Sequence, residues 1–147
     1  MNELNAIEIL LVEDDPQDVE LTLRALKKRH LANHVHVVKD GAEALDFLFA
    51  TGTSEGRAMA HYPKVVFLDL KLPKVNGIEV LRRLKSDERT KTIPVVVMTS
   101  SREAPDLEEC YALGVNSYIV KPIDFDQFLT VVSNLGFYWL LLNEAPL

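Results

Sequence analysis

Val65-Val66-Phe67-Leu68-Asp69-Leu70-Lys71-Leu72-Pro73 is the stretch that decides the fold. Four apolar residues lead into one acid, and a proline follows four residues after that acid. An unbroken apolar run of this length predicts a strand buried on both faces, as in the middle of a parallel sheet. In open α/β sheets, ligand chemistry lies just outside the carboxyl ends of the strands. The run therefore puts the Asp69 carboxylate at that edge. A single acid after a single strand more often caps a loop, so the weight falls on what else converges on Asp69.

Working outward, Ile7 to Val12 reads as a first apolar strand ending in Glu13-Asp14-Asp15. Asp15-Pro16 reads as the cap and first position of a helix, with Val19, Leu23 and Leu26 at helical spacing. His34 to Val38 is a short second strand. Asp40 caps a second helix whose Leu45, Leu48 and Phe49 share a face. Thr51 to Tyr62 is a long polar loop. Asn76-Gly77 starts a third helix with Val80, Leu81 and Leu84 inward. Pro94 to Met98 is a fourth strand, ending in Thr99-Ser100-Ser101. Pro105 opens a weaker helix with a thin face of Leu107, Tyr111 and Leu113, and Gly114 can stop it. Tyr118-Ile119-Val120 is a fifth strand, ending in Lys121-Pro122. Asp124 caps a last helix carrying Phe125, Phe128, Leu129, Val132 and Leu135.

Strict strand–helix alternation predicts a doubly wound α/β fold with five parallel strands and five helices. Right-handed crossovers leave few arrangements. The commonest is the flavodoxin-like order 2-1-3-4-5, with its switch point between strands one and three.

With 147 residues, 48% of them hydrophobic and 26% charged, the chain can form one domain with a real core. A net charge of −6 with mixed signs disfavours a nucleic-acid surface. One cysteine, Cys110, rules out an internal disulfide and suits a cytoplasmic, reducing setting. The start of the chain lacks the pattern of a signal peptide, and no apolar run is long enough to span a bilayer. The four histidines read as surface or turn residues, and Cys110 as a small core residue. No glycine-rich phosphate loop is present in the sequence.

In the expected strand order, Glu13 and Asp14 end a strand adjacent to the one that Asp69 ends. Three carboxylates then share one crevice, and like charges that close raise one another's pKa. A hard divalent cation such as Mg²⁺ relieves this. Asp15 and Asp18 read simply as helix-start acids. Thr99 adds a hydroxyl at the end of strand four, and Lys121 a cation at the end of strand five. This set suits an aspartyl nucleophile that takes up a phosphoryl group, with the metal and Lys121 offsetting charge on its oxygens.

Glu13-Asp14, Asp69 with Pro73 and Gly77, Thr99, and Lys121-Pro122 resemble the motif set of two-component response-regulator receiver domains. The resemblance covers nearly the whole chain. It implies that Asp69 is the phosphoacceptor. It implies that Asp14 and Asp69 bind Mg²⁺ (or Mn²⁺), with Glu13 acting through water and the Lys71 carbonyl as a further ligand. It implies that Lys121 contacts the phosphoryl group, that Lys121-Pro122 is a cis peptide, and that Thr99 and Tyr118 form a switch pair. The partner implied is a sensor histidine kinase. The long loop and the Phe137-Tyr138-Trp139-Leu140 tail resemble the small stand-alone receivers that partner cyanobacterial phytochrome histidine kinases. Lys71 departs from the neutral residue often found there in chemotaxis receivers, which bears on the lifetime of the phosphorylated form.

Residues 1–147 are therefore expected to form a single receiver domain, with 136–147 extending the last helix. Phe137 to Leu142 run without a polar break, and consecutive helical residues cannot all face one sheet. The expectation is a homodimer through Phe137, Tyr138, Trp139 and Leu140; the alternative is a tail folded over the domain's own edge. Two other functions compete with signalling. An aspartyl-nucleophile phosphohydrolase usually carries a second acid two residues after the nucleophile, where this chain has Lys71. A binding module with an inactive acid site is the other.

Overall fold

Ile9–Val12 forms β1, and all four of its residues are buried. In the computed structural model, which describes residues 9–28, 34–49, 62–122, 124, 126–128 and 130, four more strands join it. They are β2 (Val35–Val38), β3 (Val65–Leu68), β4 (Val95–Thr99) and β5 (Ser117–Val120). The order is β2-β1-β3-β4-β5, and every pairing is parallel, as the alternation predicts. The switch point accordingly falls between β1 and β3.

Side chains alternate across a strand, and here the alternation splits the core into two layers. Leu10, Val12, Val66, Leu68, Val95 and Val97 face one side of the sheet. Ile9, Leu11, Val65, Phe67, Val96 and Met98 face the other. The first layer is covered by α2 (Gly41–Phe49), α3 (Gly77–Ser86) and α4 (Ala104–Ala112), and the second by α1 (Pro16–Lys28). Phe128 also closes the second layer, its ring edge-on to Phe67 at 5.2 Å. Two-sided burial is why β3 and β4 read as continuous apolar runs rather than alternating ones.

The helix starts follow the expected caps. Gln17 N–H donates to Asp15 Oδ1 (2.9 Å), Glu43 N–H to Asp40 Oδ1 (2.7 Å) and Glu79 N–H to Asn76 Oδ1 (3.1 Å). Gln127 N–H donates to Asp124 Oδ1 (2.9 Å), where the fifth helix begins. Residues 125, 129 and 131–147, which include the expected continuation of that helix and the Phe137 to Leu140 stretch, and residues 50–61 lie outside the described residues. Gly114 follows α4 with φ +98°, a left-handed geometry that glycine adopts freely. Among the described residues, no helix is long and apolar enough to cross a membrane.

Two helix faces differ from the sequence reading. On α2 the buried residues are Gly41, Ala44, Phe47 and Leu48, with Leu45 and Phe49 only partly buried. On α4 the expected face is largely outward: Leu107 is 39% and Tyr111 51% exposed, while Cys110 is completely buried. With so few apolar residues, the spacing on α4 supports more than one rotation. Packing against the sheet selects the one that puts the small thiol inward.

Candidate functional site

The parallel register brings the ends of β1 and β3 level, with Val12 opposite Leu68. The next residues are Glu13 and Asp69. Asp69 N–H donates to the Val12 carbonyl (3.0 Å) and Glu13 N–H to the Val38 carbonyl (3.0 Å), so backbone bonds fix both acids. Glu13 and Asp69 are buried, and Asp14 is exposed. One carboxylate oxygen from each of Glu13, Asp14 and Asp69 lies within 4.8 Å of the others. The crevice expected from the strand order thus exists.

The loop after β3 is braced by two glycines. Gly77 N–H donates to the Leu70 carbonyl at 2.7 Å. A Cβ at Gly77 would lie 2.2 Å from the Asp69 carbonyl oxygen, so a larger residue cannot bring α3 this close. A Cβ at Gly41 would lie 1.7 Å from the Val75 carbonyl oxygen. The loop's inner end is fastened to the acid itself, since Lys71 N–H donates to Asp69 Oδ1 (3.3 Å). The Lys71 side chain is exposed.

From the far side of the sheet, β5 delivers Lys121. Lys121 N–H donates to the Thr99 carbonyl (2.8 Å), and Lys121-Pro122 is cis. Its ammonium donates to Glu13 Oε1 (2.7 Å) and Asp69 Oδ2 (3.2 Å). A third carboxylate, Asp18 Oδ2, lies 2.8 Å away. Burial works against the charge on Lys121, but the bonds to Asp18 and Glu13 and the charge of Asp69 outweigh it, and its pKa is raised. Burial pushes the Glu13 carboxyl up to about 7; the Lys121 hydrogen bond lowers it, and the Asp69 charge raises it again.

Asp18 is the site residue that the sequence reading missed. Its place in the first turn of α1 fits the helix-start role that the sequence suggests. Its contact with Lys121 lies 103 positions along the chain, and no local pattern signals that.

Thr99 is fully buried at the end of β4. Its Oγ1 accepts from Ser101 N–H (3.3 Å), and the Ser101 carbonyl accepts from the Tyr118 hydroxyl (3.1 Å). Ser101 Oγ donates to Asp106 Oδ2 (2.6 Å) on α4. Thr99 and Tyr118 are therefore linked through one residue, which also holds the start of α4. An open cleft of about 360 Å³ adjoins the acids, lined in part by Asp14, Lys71, Pro73, Asn76 and Asp106.

The oxygen-only donor set suits a hard divalent cation. Glu13's raised pKa shows the strain that a cation relieves: a buried carboxylate next to another one resists ionisation. The residues present fit such an ion.

An acid pair and a third acid after β3, with a lysine after β5, stand at the switch point of a 2-1-3-4-5 sheet, the arrangement of an α/β receiver-type domain. The description "Response regulator receiver domain" matches residues 9–133, and the chain belongs to that family. It is 41% identical to the "Probable methanogenesis regulatory protein FilR2" of Methanothrix harundinacea, over 94% of this chain and 86% of that protein. It is 36% identical to the response regulator Rcp1 of Synechocystis, over 94% of this chain and 92% of that one. Among solved structures, the bacteriophytochrome response regulator AtBRR superposes with a TM-score of 0.80 at 54% identity, covering 95% of this chain and 99% of that one. The related RtBRR gives 0.82 at 51%, covering 96% and 84%. The phosphorylated cyanobacterial phytochrome response regulator RcpA gives 0.77 at 37%, covering 92% and 94%. The Mn²⁺-bound form of Rcp1 gives 0.78 at 34%, covering 96% and 99%. This protein is a response-regulator receiver homologous to phytochrome response regulators.

Proposed function

We propose that Asp69 accepts a phosphoryl group from a sensor histidine kinase of the phytochrome type, and that the chain then switches conformation and association state. The observation that carries this is the Lys121 ammonium reaching both Glu13 and Asp69 beside the clustered acids. The nucleophile is a carboxylate oxygen of Asp69, and the transfer is direct, without a general base. That oxygen forms a bond to phosphorus. The bond from phosphorus to the donor's nitrogen breaks, and its electron pair leaves with the donor imidazole. Lys121 offsets the charge on the phosphoryl oxygens.

Glu13, Asp14 and Asp69 would hold Mg²⁺ or Mn²⁺, with the Lys71 carbonyl as a further ligand. Bound there, the cation supplies positive charge against the transferring group. The Mn²⁺-bound form of Rcp1 supports this reading. Thr99 donates its hydroxyl to the phosphoryl group, and Tyr118 follows through Ser101, which biases α4. We read residues 1–147 as one cytoplasmic receiver that pairs with a second copy through Phe137, Tyr138, Trp139 and Leu140. It turns over no separate substrate beyond its own phosphotransfer and dephosphorylation.

Incubation with Mg²⁺ and acetyl phosphate, followed by intact mass, tests the central step. One phosphoryl adduct is expected, and none in Asp69→Asn. Turnover of many phosphoesters would point to a hydrolase instead, and an unmodified chain to a binding module. Sedimentation velocity with and without acetyl phosphate tests the pairing; a monomer in both would refute it.

A further inference from the structure

Lys121 has more partners than the phosphoryl chemistry requires. Glu13 Oε1 lies at 2.7 Å, Asp18 Oδ2 at 2.8 Å and Asp69 Oδ2 at 3.2 Å from its Nζ. An ammonium has three protons to donate, so these carboxylates occupy it fully. The longest contact is to Asp69, the group on which the chemistry acts. Asp18 comes from a different element, the first turn of α1. Its side chain is 21% exposed and that of Lys121 is 12% exposed, so solvent screens the pair only partly.

We propose that Asp18 is a positioning residue that competes with the incoming phosphoryl group for Lys121. This rests on the reading of Asp69 as phosphoacceptor. Asp18 holds the ammonium toward α1, at a shorter distance than Asp69 does. Its negative charge also lies beside the place where a phosphoryl dianion must arrive, and like charges repel. Both effects act in the same direction. They favour the unphosphorylated arrangement, and a group that needs Lys121 must overcome them. Glu13 and Asp69 are bound to the metal chemistry as well. Asp18 is the partner of Lys121 whose contact serves this restraint alone.

The test is titration with beryllium trifluoride, a phosphoryl mimic, in the presence of Mg²⁺. Wild type, Asp18→Asn, Lys121→Met and the double variant are compared. Asp18→Asn is expected to bind about fivefold tighter or more. It should also lower the half-saturating acetyl phosphate concentration. In the Lys121→Met background the gain should shrink to the part that charge repulsion alone supplies, because the rest acts through the pair. Equal affinity in Asp18→Asn and wild type overturns the proposal, as does a gain that is undiminished in Lys121→Met. Should Lys121→Met fold poorly, NMR of the Lys121 ammonium decides. Its protons are expected to exchange with solvent faster in Asp18→Asn than in wild type, and unchanged exchange overturns the proposal. A wild-type protein that binds no beryllium trifluoride refutes the phosphoacceptor reading itself, so the two failures are distinguishable.

Discussion

Lys121 Nζ lies 2.7 Å from Glu13 Oε1 and so ties the ends of β1 and β5 together across a sheet in which β3 and β4 stand between them. The strands themselves never touch. The long lysine side chain crosses the gap over the carboxyl edge, passing Asp69 on the way. A lysine is seldom so buried unless it is paired, and this one owes its burial to the acids around it.

Breaking this tie leaves Glu13 buried without its cation. Lys121→Met is expected to cost about 3 kcal/mol at pH 8. The loss should be smaller at pH 6, where Glu13 can take up a proton. Urea denaturation at the two pH values measures it, and an equal loss at both would contradict the argument.

Glu13 also sets a pH dependence. Its carboxyl is pushed from about 4.5 to about 7 by burial, against the Lys121 bond and with the Asp69 charge. The folded value exceeds the unfolded one. The stability it contributes is therefore complete below pH 4.5 and is lost as pH rises through about 7 in the metal-free protein. Mg²⁺ needs the ionised form, so Mg²⁺ affinity should rise from pH 6 to pH 8 with release of a proton. Calorimetry in two buffers of different ionisation enthalpy reads that proton directly.

Gly77→Ala places a methyl group 2.2 Å from the Asp69 carbonyl oxygen and 2.5 Å from the Leu70 Cα, both backbone atoms with nowhere to go. A loss of about 3 kcal/mol is expected, from overpacking. Phosphorylation should slow as well, because the loop that moves carries Asp69. Denaturation and acetyl phosphate uptake are the measurements.

Cys110 is buried on α4, and burial pushes its thiol up to about 11, with the Asp106 and Glu109 charges adding to the effect. It should resist thiol reagents at pH 8 in the folded protein and react fully in 6 M guanidinium. Its contribution to stability is complete below the ordinary thiol range and is lost as pH rises through about 11. Rapid labelling of the native protein would show that α4 sits otherwise.

Replacing Asn76 by Ala removes the side-chain acceptor for Glu79 N–H at the start of α3. About 1 kcal/mol should be lost, visible as a lower urea midpoint with an unchanged slope.

The amino-acid order determined what is local. Buried strands announce themselves as apolar runs, and Asp15, Asp40, Asn76 and Asp124 announce helix starts because their side chains suit those backbone donors. Since parallel strands end at one edge, Glu13, Asp14, Asp69, Thr99 and Lys121 could be placed there without coordinates. Tertiary structure alone decided which way the weakly patterned α4 turns, so that Leu107 and Tyr111 face outward beside Cys110, whose place in the core was legible in the sequence. It alone showed that Asp18 reaches Lys121, that Ser101 joins Thr99 to Tyr118, and that Gly41 lies against the Val75 carbonyl. Contacts of this kind depend on distances between side chains far apart in the chain. Periodicity and capping carry information over a few residues only, and packing supplies the rest.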